Sequence, residues 1–594
     1  MTRLVPYPID LIARTSTPFA SSLGSLATLA ALAAIAALAL LPACPPASQD
    51  TESSTGTAAA AASSSTGPFD PTTTGFELLC QPGSERCADS NLREICKASG
   101  LAYEQVECNK HQLCSEDGDG GSKTSCVGPC EVAGGTPSSV GCEFLAIRVR
   151  SFNSADDPAM YFDALIVGNP DKVEAAVVQL YFASNGSGAD ELIGDPVTLA
   201  PGESHIFEMT TSPIGGYSAV RSGGVYRVVS DIPVIAYLHS PLKNSASNDS
   251  SMLLPVRSLR QDYIIASYPA FADQALPDDK NGRPSFFNVI ALENDTTVEW
   301  TPRSTTFGNG FVFENVAPGE TGSVKLNRGE VMQVGAASPE GDIDYIKHDV
   351  SGTIVHADKP IWVLGGTACA FVPFDSKGFC NHLQEQMLPI EYWGTKYVGA
   401  HSPLRAAEPH IWRIYAGEAG VSVTTDPPQP GTPFTLSERG AFKEIIVGSG
   451  KSFTFQGTGP FLPVQYLVGS KEAGGKGDPA MYQMIPIEQF LDRYVFVTGV
   501  NYDTNYAQVI RVKGAADVTI NGEVVTGYYF INAVNGLQYE VADWPLAPGD
   551  VPKVYVAESE DPFGVMVIGY QTTGGAYSAY AYPGGMALKP LVDL

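Results

Sequence analysis

Asp358-Lys-Pro360-Ile-Trp-Val-Leu364-Gly-Gly366 opens the stretch whose reading decides the fold, and Cys380-Asn-His-Leu-Gln-Glu-Gln-Met-Leu-Pro389-Ile-Glu-Tyr-Trp393-Gly-Thr-Lys-Tyr397-Val398 closes it. An apolar, β-prone run between a proline and a glycine pair reads as a strand, and 389–398 reads as a turn leading into another. Cys369 and Cys380 bracket the loop between them and are expected to bridge, closing about ten residues.

The same grammar recurs three more times in diluted form. Pro201-Gly202, Pro318-Gly319, Pro430-Gly431 and Pro548-Gly549 lie 117, 112 and 118 residues apart, three of them as Ala-Pro-Gly-acid with Glu203, Glu320 and Asp550. Upstream of each, paired apolar runs flank an Asn, Asp or Gly turn at 162–180, 287–300, 411–423 and 509–520. Downstream, a proline opens an apolar run at Pro233, Pro360, Pro460 and Pro562. Last, Pro255, Pro389, Pro486 and Pro583 open a further strand, followed in the first three by Tyr263, Tyr397 and Tyr494. Four signals in one order, four times, define a unit of about 115 residues. A proline at the first residue of a strand costs little, because the missing N–H need not pair there. The expected fold is all-β: four tandem repeats forming a propeller-like ring or a row of sandwiches, with the last copy trimmed as a terminal cap.

Composition agrees with strands. Sixty Gly, 44 Pro, 26 Tyr and 26 Phe suit short strands joined by turns, and 44% hydrophobic residues in 594 are ample for large cores. With 36 basic against 64 acidic side chains the formal charge is −28, which repels phosphate backbones and speaks against a nucleic-acid partner.

The chain begins with Arg3 and Arg14 ahead of an apolar run, 26–41, broken only by Thr28. At 16 residues this run is short for a spanning helix and reads as the core of a signal peptide covering 1–43. It closes on Leu41-Pro42-Ala43-Cys44, which resembles a bacterial lipobox and implies lipidation of Cys44 and a membrane partner held through that anchor, with ordinary signal cleavage and an uncleaved anchor as the alternatives. Residues 44–76 are Ala, Ser, Thr, Gly and Pro with almost no large apolar side chain, so they read as a flexible tether.

Eight cysteines, Cys80, Cys87, Cys96, Cys108, Cys114, Cys126, Cys130 and Cys142, crowd the 77–142 segment. Behind a secretion signal an even count in so short a segment reads as a disulfide framework of four bridges with open connectivity. No Cys-x-x-Cys pair is present and only His111 is near, so zinc is not expected. Asp117-Gly-Asp119-Gly-Gly-Ser122 lacks the remaining acids of a calcium loop and reads as a solvated turn.

Gly141-Cys142-Glu-Phe-Leu-Ala-Ile, Ser247-Asn-Asp-Ser-Ser-Met-Leu-Leu-Pro255, the 380–389 motif and Trp393-Gly resemble the N-terminal domain of the IgG Fc-binding protein family, which also occurs in bacterial surface lipoproteins. The resemblance covers about residues 142–594 and implies an extracellular binding or adhesion module for a protein or glycan ligand, with no catalytic role and no defined ligand residues. The von Willebrand type D modules of the animal proteins are absent from this sequence.

Enzyme signatures are thin. There is no Gly-x-Ser-x-Gly elbow, no His-Glu-x-x-His and no phosphate-binding glycine loop, so no catalytic residue, metal or cofactor is expected. The competing reading is a hydrolase or glycan-processing site around 369–393, built from His382, Glu385 and Glu391 with His401 and His410 nearby. Leu383, Met387 and Leu388 argue that this segment packs into the core instead. Trp300, Trp362, Trp393, Trp412 and Tyr580 offer stacking faces for sugars, but in a strand-rich chain aromatics are more often core. A purely structural envelope role is the third reading. The expected organisation is therefore signal peptide 1–43, tether 44–76, disulfide module 77–142 and β-repeat domain 143–594.

Overall fold

The computed structural model describes residues 79–594, less 90–91, 109–112, 117–122, 133–137, 152–160, 186–189, 216–217, 243–246, 271–283, 309, 311, 337–347, 375–378, 535–536, 550, 573–576 and 594. Cys44, the signal run, the tether, His111 and the 117–122 turn lie outside the described residues. The described chain is all-β, apart from a helical turn at Pro129–Val132 and short 3₁₀ turns such as Val256–Ser258, Ile390–Tyr392 and Ile487–Gln489. Disulfides join Cys80 to Cys96, Cys87 to Cys114, Cys108 to Cys126, Cys130 to Cys142, and Cys369 to Cys380. The first three tie together a three-stranded sheet and a hairpin too small to bury a core of their own.

One ladder scheme recurs in four successive segments. In the first, a long strand, Val225–Ser240, runs through two sheets. Its first half pairs with Gly141–Ile147 on one side and Ala176–Ala183 on the other, and Glu191–Leu199 extends that sheet. Its second half pairs with Asp163–Gly168, which carries Ser204–Met209, and with the inner strand Asp249–Met252. The long strands Ile354–Ala370 and Val554–Tyr570 repeat all six pairings, and in the third unit the strand is broken into Phe453–Gly457 and Phe461–Leu467 with the same partners. Each unit is thus a sandwich whose two sheets share a bent strand.

The bend explains the prolines. Pro233, Pro360 and Pro562 lie inside continuous strands, and Pro460 lies at the break. The expectation that each proline opens a strand is therefore corrected. At the point where a strand changes ladder partners its N–H has no mate, so the residue without one fits. A side chain just upstream staples the bend by accepting a backbone N–H of the neighbouring strand segment: Asp231 from Val177 (2.7 Å), Asp358 from Thr297 (2.8 Å), Asp561 from Ala516 (2.8 Å), with Thr458 taking Ser422 (3.0 Å) in the third unit. The three tyrosines do one job. Tyr263, Tyr397 and Tyr494 each accept the N–H three residues upstream and donate to the carbonyl just after the proline, Ile361, Phe461 and Phe563. In the first unit the ladder register puts Phe144 at this position, and it brings no hydroxyl.

Two further expectations change. Gly365-Gly366 does not end a strand; the strand continues to Ala370. A Cβ at Gly365 would sit 2.3 Å from the Ala266 carbonyl oxygen, and one at Gly366 2.6 Å from that of Leu383, so the pair allows close backbone approach. The Pro-Gly pairs are turns, but not one landmark. Pro201-Gly202 joins the fourth and fifth strands of its unit, Pro318-Gly319 and Pro430-Gly431 precede the fourth strand of theirs, and Pro548-Gly549 precedes the long strand of the last. The tight turn recurs because Gly supplies the positive φ it needs, 75° at Gly202, 80° at Gly319 and 82° at Gly431, and its near-regular spacing follows from the similar unit lengths.

The four inner strands, Asp249–Met252, Asn381–Gln386, Ala480–Gln483 and Ala579–Pro583, touch one another in cyclic order, so the sandwiches close into a ring around them. The last copy is not trimmed: its inner strand is complete, and the segment after it closes the ring on the first unit. Ser138 bridges Ala587, Ser139 N donates to Met586 O (3.0 Å), and the Tyr237 hydroxyl donates to Gly584 O (3.2 Å). Trp300, Trp362, Trp393, Trp412 and Tyr580 are all buried in the core. Replacing Tyr397 by Phe is expected to lower unfolding free energy by about 1–3 kcal/mol, because the Gly394 amide and Phe461 carbonyl lose a buried partner. An unchanged urea midpoint would show that the corner is ornamental.

Candidate functional site: the polar axis of the ring

An inner strand pairs only with its own long strand, so its other edge points at the ring axis. Strand edges carry N–H groups that must find acceptors when no water reaches them. The sequence supplies those acceptors as side chains. Ser247 Oγ, Asp249 Oδ2 and Ser251 Oγ, at every second residue, accept the backbone N–H of His382 (2.9 Å), Gln384 (3.1 Å) and Gln386 (2.8 Å) of the second unit. Period-two spacing is what a strand needs to present three side chains to one edge.

Asp249 is the centre of this arrangement. Its carboxyl also accepts the N–H of Met481 in the third unit (3.1 Å), of Ser250 (2.9 Å) and of Ala581 in the fourth. Amides from all four inner strands thus meet on one fully buried carboxyl group. Burial pushes its pKa well above the usual carboxylate range, while the amides pull the other way by favouring the ionised form.

Glu385 lies on the same axis and is as deeply buried. Its Oε2 accepts from Ser251 Oγ (2.9 Å) and Gln483 Nε2 (3.4 Å). Burial raises its pKa well above normal, and the negative charge of Asp249 adds to the rise. Asn248 and Asn381 exchange backbone and side-chain bonds, and Asn248 Nδ2 donates to Tyr502 Oη of the fourth unit (2.7 Å).

The residues considered for catalysis are not assembled. His382 is buried with Nδ1 3.0 Å from Thr367 O, and burial brings its pKa down to about 4. Glu391 sits on the 3₁₀ turn after the inner strand, half-buried, with its pKa raised by burial. His401 is buried in a separate place, 4.2 Å ring to ring from His410, with its nitrogens 2.6 Å from Ser402 O and 3.1 Å from Glu408 O. Among the described residues His382, Glu385 and His401 are each buried. Among the described residues no group of three His, Cys, Asp or Glu side chains is placed to hold a metal. Asp249 was not singled out from sequence. Its signal was there: Ser247-Asn-Asp-Ser-Ser-Met-Leu-Leu-Pro255 and Asn381-His-Leu-Gln-Glu-Gln-Met-Leu-Pro389 are both polar-rich runs leading into apolar residues and a proline.

The axis predicts a pH dependence of defined sign. A folded-state pKa raised above the unfolded one means that stability from Glu385 is fully present below the unfolded pKa and is lost as pH rises through the folded pKa. Asp163 and Asp543, both raised to about 6 by burial, act in the same direction. The buried histidines His239 and His382, lowered to about 3 and about 4, act in the opposite direction as pH rises to the ordinary imidazole range, so the test is differential: Glu385→Gln, which keeps an oxygen for Ser251 and Gln483, is expected to make the melting temperature of the variant fall less, or rise more, with increasing pH than that of the parent. Identical pH slopes for the two proteins would contradict this assignment.

The comparisons with known proteins point one way. A family model described as IgGFc binding protein matches residues 249–569, starting at the axial aspartate. The IgGFc-binding protein of Homo sapiens is 22% identical over 465 residues, which cover 76% of this chain and 8% of the human protein. With more than half of its length inside the family match, this chain belongs to the IgGFc binding protein family.

Proposed function

We propose that this chain is a cell-surface lipoprotein, anchored through an acylated Cys44, whose ring is a non-catalytic module that binds an extracellular protein or glycan. The observation that carries the reading is the fate of the polar residues in the strongest candidate stretch. Ser251, Gln384, Glu385 and Gln386 are occupied in hydrogen-bonding buried strand edges, which rigidifies a scaffold and leaves its turns and outer strands to meet a partner. Five disulfides support an oxidising exterior. Membership of a family named for binding supports recognition over turnover.

Immobilised immunoglobulin Fc, the partner in the human relative's name, and a glycan array are the first probes. Saturable retention on either, with the bound material unaltered, is the expected result. Cleavage of a glycan or peptide that disappears in Glu385→Gln would establish the hydrolase instead, and retention on neither probe would favour a structural envelope component. For the anchor, Cys44→Ala is expected to move the protein from the detergent phase to the aqueous phase; partition that does not change would remove lipidation from the reading.

A further inference from the structure

In each unit the second strand carries an outer partner, Ser204–Met209, Glu330–Gly335, Phe442–Val447 and Leu537–Leu546, and a further strand covers that partner's far edge in the second and fourth units but, among the described residues, not in the first and third. In the second unit the edge Glu330–Gly335 is covered by a strand lent by the first, Ala219–Ser222, paired antiparallel from Ala219 opposite Gln333 to Ser222 opposite Glu330. Ser222 Oγ donates to Glu330 Oε1 (2.9 Å) and Gly335 N to Ser218 Oγ (3.0 Å), pinning both ends. In the fourth unit the edge Leu537–Leu546 is covered by Tyr529–Val534 of the same unit.

In the first unit the edge is Ser204–Met209, and among the described residues no strand pairs with its outer side. Residues 551–553 of the fourth unit arrive there, and Pro552 O accepts from Ser204 Oγ (3.2 Å), but among the described residues they form no ladder with this strand. A groove of about 880 Å³ is left between Gly202–Ile206 and Val551–Tyr555, within the size range of sites that take ligands. Val551, 62% exposed, stands on its wall.

The backbone along this edge is set for pairing. Asn169 N donates to Glu203 O (2.9 Å), so by the alternation of an antiparallel ladder His205, Phe207 and Met209 turn their N–H and C=O to Asp163–Gly168. Ser204, Ile206 and Glu208 turn theirs outward. We infer that this groove, together with the open strand edge that continues past it to Met209, is a docking slot for an extended peptide segment of a partner protein, which adds as an antiparallel strand to Ser204–Met209 as Ala219–Ser222 does one unit further on. The lining carries Glu203 and Lys553, of opposite charge, so recognition rests on the partner's main chain and small apolar side chains rather than on net charge. This rests on the reading of the ring as a binding module and names where and how a protein partner is held.

The test uses octapeptides selected from a displayed random library against the full chain. Selected peptides are expected to bind the parent protein and to bind Glu208→Pro at least tenfold more weakly. That substitution removes one outward N–H, leaves the inward ladder intact, and places proline where an edge strand accepts it. Methylating the peptide's backbone nitrogens one at a time is expected to abolish binding at alternate positions only, the signature of strand addition, and this arm does not depend on the variant folding. A library without binders, equal binding to Glu208→Pro, or methylation effects without alternation each overturns the slot; Fc or glycan retention surviving in that case would leave the binding-module reading standing. Dimerisation of the parent protein that Glu208→Pro abolishes would make a second copy the occupant and also overturns the inference.

Discussion

Four strand edges aimed at one dry line are the constraint on which the rest of this structure depends. Edge strands normally satisfy their outer N–H groups with water or another strand. Around the axis of this ring neither is available, since strands converging in a cycle cannot all lie side by side in one sheet. Backbone amides left without acceptors there would each cost about 1–3 kcal/mol, enough in number to exceed the stability of an ordinary domain. Asp249 resolves the centre by offering one carboxyl group to four strands, and Ser247 and Ser251 serve the levels on either side. The ring tolerates two buried acids because their alternative is a set of unpaired amides.

That constraint accounts for the bent strand. To place one edge on the axis and still belong to a sandwich with two sheets, each unit passes a single strand from one sheet to the other. The crossing is fixed chemically by a proline with no N–H to orphan, by an upstream acid or threonine that takes the neighbouring amide, and by a tyrosine hydroxyl that locks the first strand to the crossing point. The first unit lacks the hydroxyl at Phe144. The Cys130–Cys142 bridge ties the same strand to the preceding module instead.

Much of this was legible in the sequence, and the limits have physical causes. The recurring prolines and the later Tyr signals marked the right residues because both serve local geometry, which ties them to the same place in each unit. Their meaning was harder: a proline between apolar runs looks like a strand boundary, and only the ladder shows that Val225–Ser240 passes through it. Pro-Gly recurred at even distances yet marks three different connections, since any tight turn with positive φ accepts it. The axis was the least readable part. His382 and Glu385 look like chemistry in one dimension, whereas their roles depend on Ser251, Thr367 and Gln483, brought in from elsewhere in the chain. Resemblance to a family reached the binding class without these contacts.

A ring of four like units would have four like interfaces, and this one departs from symmetry where its connections differ. After the strand that carries the open or covered outer edge the chain spends residues 210–224 in the first unit, long enough to lend a strand to the second, but only 448–452 in the third and 547–553 in the fourth. The axis cannot vary in this way, because each inner strand's amides are tied to its neighbours' side chains. The outer edges can, because water satisfies what no strand covers. Change is therefore cheap at the rim and expensive at the centre, and a scaffold built so acquires new partners through its outer edges while its acids stay engaged within.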